Sequence, residues 1–130
     1  MVVDPIFQGQ VALVTGGSSG IGRAASLAFA AQGAKVVVAS RRIDEGRETV
    51  RLIQATGGES IFVRTDVSQA EEVQALMART VERFGGLDFA FNNAGIEGTA
   101  FVPVEQYSEA TWDQVIDINL LGSYWMAQAC

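Results

Sequence analysis

Residues 9–24 read GQVALVTGGSSGIGRA, and this stretch decides the fold. Val11 to Val14 form a nearly continuous apolar run, the composition of a strand covered on both faces. Gly16, Gly20 and Gly22 follow, leaving no side chains where the backbone must turn sharply and lie close to a ligand. A helix predicted to begin near Gly20 points its free amides and the positive end of its dipole into that turn. Strand, glycine turn and helix in this order are how parallel α/β sheets hold the phosphates of a dinucleotide. The spacing Gly16-x-x-x-Gly20-x-Gly22 has its wide gap first, unlike the common G-x-G-x-x-G. A loop of the G-x-x-x-x-G-K type needs a lysine after its last glycine. The one lysine is Lys35, so that class is excluded.

Outward from this stretch, strand and helix patterns alternate to the end. Strands are predicted at Val11–Thr15, Lys35–Ser40, Ser60–Thr65 and Leu87–Asn92. The first helix, Ile21–Gln32, is expected to approach the sheet through Ala24, Ala25 and Ala28. The second, Ile43–Thr56, spaces Ile43, Val50 and Ile53 for one face. Ser68-Gln69-Ala70-Glu71 reads as a capping box opening a third helix, with Ala70, Val73, Met77, Val81 and Phe84 at steps of three and four. A longer loop from Ala94 to Tyr107 precedes a last helix running from about Ser108 or Thr111 to the end. Such alternation gives a parallel, doubly wound α/β sheet, and residues 1–130 read as one domain or part of one.

Composition narrows the function. The 130 residues are 48% hydrophobic and 18% charged, as in an ordinary soluble domain. A net charge of −6 argues against nucleic acid or an anionic membrane as partner. The absence of histidine removes Ser-His-Asp and Cys-His catalysis and most zinc or iron sites, so no metal site is expected. Cys130 is the single cysteine, which rules out an intrachain disulfide. Residues 1–10 show no signal-peptide pattern and no apolar run is bilayer-length, so a cytoplasmic location is the expectation.

With Thr15 ahead of the glycines and Asn92-Asn93-Ala94-Gly95 two βα units later, the chain resembles the short-chain dehydrogenase/reductase family, whose pattern is TGxxxGIG followed by NNAG. The resemblance covers essentially the whole chain. It implies a Rossmann-type sheet of order 3-2-1-4, with the cofactor held by Gly16, Ser18, Ser19, Gly20, Ile21 and Gly22. It also implies Asp66 and Val67 on the adenine, Asn93, Ala94 and Gly95 lining the adenine ribose and diphosphate, and Asn92 bracing the sheet. At Gly95 a side chain is expected to collide with the cofactor. Strand two ends in Ser40, followed by Arg41 and Arg42. An acidic residue there serves the ribose hydroxyl of NAD, whereas arginine accommodates the 2′-phosphate of NADP. The reading therefore favours NADP(H) over NAD(H), with Arg41 as main contact; Asp44 and Glu45 are the alternative, reaching a ribose.

In the family a tyrosine delivers the proton, its pKa lowered by a lysine four residues on, with a serine and an asparagine beside it. Asn119 matches that asparagine and is the catalytic candidate. A Tyr-x-x-x-Lys motif is absent: Ala31 precedes Lys35 at that spacing, Tyr107 pairs with Thr111, and Tyr124 with Gln128. Neither partner carries charge, so neither lowers a phenol's pKa electrostatically. The resemblance implies hydride transfer between NADP(H) or NAD(H) and a small alcohol or ketone, with Ile96 and Glu97 as candidates to face the substrate and a plain loop role as their alternative. These 130 residues alone are expected not to turn over and to be the N-terminal part of a longer enzyme. The alternative is a non-catalytic dinucleotide-binding or assembly module. Strand four is expected to be a bare edge, and the last helix to drive homo-oligomerisation.

Overall fold

The computed structural model describes residues 4–130. Among them, β1 (Val11–Thr15), β2 (Lys35–Ser40), β3 (Ser60–Arg64) and β4 (Phe89–Phe91) form one parallel sheet in the order β3-β2-β1-β4. The Rossmann-type architecture and the strand order expected from the sequence are both present. Between the strands lie α1 (Gly20–Ala31), α2 (Ile43–Ala55) and α3 (Ala70–Phe84). The sheet separates two apolar layers. Leu13, Val37 and Ala39 meet Val73, Leu76, Ile118 and Met126 on one side. Ala12, Val14, Val36 and Val38 meet Ile53 and half-buried Leu27, Phe29 and Phe62 on the other. Every residue of β1 is buried, as a strand covered on both faces must be. Each fully buried valine or leucine contributes about 1.5–3 kcal/mol relative to exposure.

The helix faces follow the periodic reading in part: Ala25, Val50, Ile53, Val73, Met77 and Phe84 are buried or half-buried, while other named positions are not. In α1 the buried residues are Gly22 and Ser26, whereas Ala24 and Ala28 are exposed. In α2 they are Gly46, Thr49 and Ile53, with Ile43 exposed. In α3 they are Val73, Leu76 and Thr80, and Val81 is exposed. The common cause is a set of buried hydroxyls that a hydrophobicity pattern counts as polar. Ser26 Oγ donates to the Gly22 carbonyl at 2.8 Å and Thr80 Oγ1 to the Leu76 carbonyl at 2.9 Å, each four residues back. So satisfied, such a side chain packs like a small apolar one.

The capping box does not form. Gln69 stands at the N-cap of α3 without a side-chain bond. Ser68 instead donates through Oγ and its amide to Asp66 Oδ1, at 2.7 and 3.0 Å, and the Asp66 amide donates to Glu72 Oε1 at 3.1 Å. The local turn at Asp66 outcompetes the cap for the serine.

The last helix is continuous but not uniform. It starts as α4 (Glu109–Val115), with Ser108 Oγ capping the Thr111 amide at 3.0 Å. It widens to a π-helical stretch over Ile116–Leu121 and resumes as α5 (Gly122–Ala129). Such widened turns recur at functional sites. Asn119 lies within this one.

Candidate functional site

The C-terminal ends of β1, β2 and β3 and the segment after β4 open on a cavity of about 660 Å³. It lies where open α/β sheets place their ligands. Gly16, Ser18, Ser19, Gly20 and Ile21 line one side, and Asn93, Ala94, Gly95, Ile96 and Glu97 the opposite one. Arg41 and Arg42 from the end of β2, and Asp66 and Val67 from the end of β3, complete the wall. Of the expected cofactor residues, only Gly22 is not on this lining; it stands behind it.

Gly22 is required by packing. A Cβ there would land on the Gly16 carbonyl and come within 2.7 Å of Asn93 Nδ2. Gly20 is required by conformation: its φ is +53° and the space beyond it is open. At Gly95 a Cβ would come within 3.3 Å of Asn119 Oδ1, a tight contact within the protein itself. The site is thus built by the protein's own contacts before any ligand enters.

Thr15 ties the two walls together. It is buried, and its Oγ1 accepts from the amides of Asn93 at 3.0 Å and Ala94 at 3.1 Å. Asn93 returns the connection, its Nδ2 donating to the Thr15 carbonyl at 3.2 Å and the Gly16 carbonyl at 3.4 Å. The bracing role expected of Asn92 therefore falls to Asn93, and Asn92 is exposed. Alternation explains the exchange: neighbouring residues leaving a strand point to opposite sides.

The electrostatics at the glycine-turn end of the rim favour an anion, while Asp66 and Glu97 line other parts of the cavity and Glu45 pairs with Arg42 at 4.0 Å. The first turn of α1 contains no acidic residue, and its N-cap Ser19 makes no side-chain capping bond, so its leading amides stay available. By contrast α2, α3 and α4 carry Asp44 and Glu45, Glu71 and Glu72, and Glu109 in that position. The Arg42 guanidinium donates to Ser19 Oγ and, at 3.5 Å, to Ser18 Oγ, placing a fixed positive charge beside the glycine turn. Arg41 is exposed on the same wall and makes no hydrogen bond or ion pair among the described residues. Asp44 and Glu45 are not on the lining.

Asn119 spends both amide atoms on one residue. Ile96 N donates to Asn119 Oδ1 and Asn119 Nδ2 donates to the Ile96 carbonyl, each at 2.8 Å. This closed pair clamps the loop after β4 to the π-helical stretch. The side chain that resemblance makes catalytic has both its polar atoms engaged by Ile96, which lines the cavity. Two buried or half-buried residues escaped the sequence reading: Thr49, which donates to the Gly17 carbonyl at 2.9 Å, and Arg23, which donates to Thr49 Oγ1 at 3.0 Å. Only the arginine's place directly after the last glycine hinted at a link to the turn.

A glycine-lined, cation-rimmed cavity at the head of a 3-2-1-4 sheet defines a dinucleotide-binding α/β protein. The short chain dehydrogenase model matches residues 10–130, and the chain belongs to that family. It is 46% identical over 116 residues to the short chain dehydrogenase/reductase astE of Aspergillus oryzae, covering 88% of this chain and 44% of that protein. Among solved structures, a metagenomic short-chain oxidoreductase in complex with NADP superposes with a TM-score of 0.89 at 35% identity, covering 95% of this chain and 55% of that one. A short chain dehydrogenase/reductase from Burkholderia phymatum in complex with NAD gives 0.90 at 37%, covering 95% and 43%. The chain thus spans about half the length of the relatives it matches.

Proposed function

We propose that the cavity holds NADP(H), and that this chain is the cofactor-binding part of an oxidoreductase acting on a small alcohol or ketone. The observation that carries the reading is the uncapped, acid-free N-terminus of α1 facing a cavity rimmed by Arg41 and Arg42. When bound, the nicotinamide ring supplies or accepts the hydride. Everything else here is binding and orientation. Gly16, Ser18, Ser19, Gly20 and Ile21 hold the diphosphate, with Gly22 letting α1 come close behind them. Asp66 and Val67 receive the adenine; Asp66 Oδ1 is engaged by Ser68, which fixes the carboxylate's orientation. Asn93, Ala94 and Gly95 line the ribose and diphosphate, and Asn119 holds Ile96 and Glu97 at the substrate end.

Arg41 is the 2′-phosphate ligand in this reading, because its guanidinium is unengaged while Arg42 is committed to the two serines. The rival carboxylates Asp44 and Glu45 stand off the cavity wall. Calorimetric titration with NADP+ and NAD+ tests the choice. NADP+ should bind more tightly, and Arg41→Ala should weaken NADP+ roughly tenfold, a charge-assisted bond's worth, while leaving NAD+ unchanged. An NAD+ preference untouched by the substitution would overturn the NADP reading.

No tyrosine in these 130 residues has a lysine four positions on. We therefore expect this chain alone to bind cofactor without oxidising alcohols or reducing ketones. Self-association completes the reading. Trp112, Leu120 and Tyr124 are 57%, 61% and 53% exposed and follow the spacing of one helix face. A Leu120→Glu/Tyr124→Glu variant should elute as monomer where the parent elutes as an oligomer. A monomeric parent would refute that surface's role.

A further inference from the structure

We infer that Thr49, on the inward face of α2, is a positioning residue for phosphate binding: it orients the peptide between Gly17 and Ser18 in the glycine turn. The inference rests on the reading of the cavity as a dinucleotide site. Thr49 is fully buried and lies outside the cavity lining. Its hydroxyl is within reach of three groups: the Gly17 carbonyl at 2.9 Å, the Glu45 carbonyl at 3.3 Å and Arg23 Nε at 3.0 Å. Arg23 Nε can only donate, so Thr49 Oγ1 accepts there and keeps one proton to give. Arg23 Nη2 already donates to the Glu45 carbonyl at 3.0 Å. The hydroxyl proton therefore goes to Gly17.

A trans peptide sets its C=O and N–H in opposite directions. Drawing the Gly17 carbonyl toward α2 turns the Ser18 N–H away from α2. Ser18 lines the cavity, is 4% exposed, and its amide has no hydrogen-bond partner among the described residues. An anion at the turn is the acceptor such a buried donor requires. Rotation of this peptide would instead aim a carbonyl at the phosphate. The alcohol of Thr49 thus selects donor over acceptor at the site, from behind the wall.

Thr80 supplies a matched control. It is equally buried on α3 and its hydroxyl bonds only the Leu76 carbonyl. Thr49→Val and Thr80→Val keep side-chain shape and each lose one buried hydroxyl, so both should lower the melting temperature. Only Thr49→Val should raise the Kd for NADP+, by roughly tenfold, and Thr49→Ser should restore it to within about threefold of the parent. Equal Kd values for the parent and Thr49→Val, or equal weakening by Thr80→Val, would overturn the assignment while leaving the cofactor reading intact. A parent that binds neither NADP+ nor NAD+ would overturn both.

Discussion

The two central strands and β4 belong to one sheet but live in different surroundings. Every residue of β1 is buried, and β2 is buried from Val36 to Ser40. β4 has only three residues, of which Phe89 and Phe91 are half-buried and Ala90 is exposed. Phe7 packs tilted and Phe29 stacked against Phe89, at ring-centroid distances of 5.0 and 6.2 Å, but they leave an apolar groove open between α1 and β4. The difference separates two tasks. The β1–β2 half carries the central strands of the core and the glycine turn, so the turn is fixed by the same contacts that fold it. The β4 half, with the helix from Glu109 to Ala129, presents exposed apolar surface and is the less self-sufficient part.

Truncations on the two strands should break this contrast if it is wrong. Leu13→Ala, in the middle of β1 and fully buried, should cost about 3–4 kcal/mol through lost transfer energy and the cavity left behind. Phe91→Ala removes a larger side chain yet should cost less, about 2–3 kcal/mol, because part of that ring is already in water. Urea unfolding of both variants decides it. Equal losses would mean that β4 is as well packed as β1.

Next in size is Gly22→Ala. The added methyl meets the Gly16 backbone carbonyl, which cannot yield without moving the turn, and the Asn93 side-chain amide that bonds to it, so about 2–3 kcal/mol of stability should go. Cofactor affinity should fall by roughly a hundredfold as the two walls are pushed apart. Gly20→Ala sharpens the point: its Cβ meets nothing, and the cost should be about 1 kcal/mol of backbone strain. Thermal melting with and without NADP+ separates the two.

The same contrast governs what could be read from the sequence. Strands β1 and β2 were legible because a strand covered on both faces has no choice but to be apolar along its length. The glycine turn was legible because its positions forbid side chains for reasons internal to the backbone. Inward helix positions were not, because Ser26 and Thr80 hide their hydroxyls in bonds to the carbonyl four residues back and Thr49 hides its own in a bond to the Gly17 carbonyl. Nor could sequence tell which arginine is committed to the serines, or which asparagine of the pair braces the sheet. Those choices turn on the direction a side chain leaves a strand end, and one residue reverses it.

Asn119→Leu probes the seam between the two halves. The variant keeps the side chain's size but breaks both bonds to Ile96, which should cost about 1–2 kcal/mol and free the loop after Gly95. Hydrogen exchange should rise at Ile96 while the amides of β1 keep their protection. Faster exchange in β1 as well would show that the halves unfold as one unit.

The smallest effect comes from the outer face of α2, the helix whose inner face holds Thr49. Arg51 donates two hydrogen bonds to Glu48, at 2.7 and 2.6 Å, and its guanidinium holds the Glu48 carboxyl below its ordinary range. The sign follows from linkage: a depressed carboxyl pKa favours the fold above the unfolded value, and that contribution fades as pH drops through the folded one. The pair is open to solvent, so water and salt screen most of it. Glu48→Gln should therefore melt slightly below the parent at pH 7 in low salt, converge with it once acid protonates the Glu48 carboxyl in the folded state, and match it at pH 7 in 1 M salt. Its NADP+ affinity should equal the parent's, because Glu48 lies off the cavity wall. A Kd that moved with Glu48 would mean that the outer face of α2 also reaches the phosphate turn, and that burial does not divide the helix into a structural and a functional side.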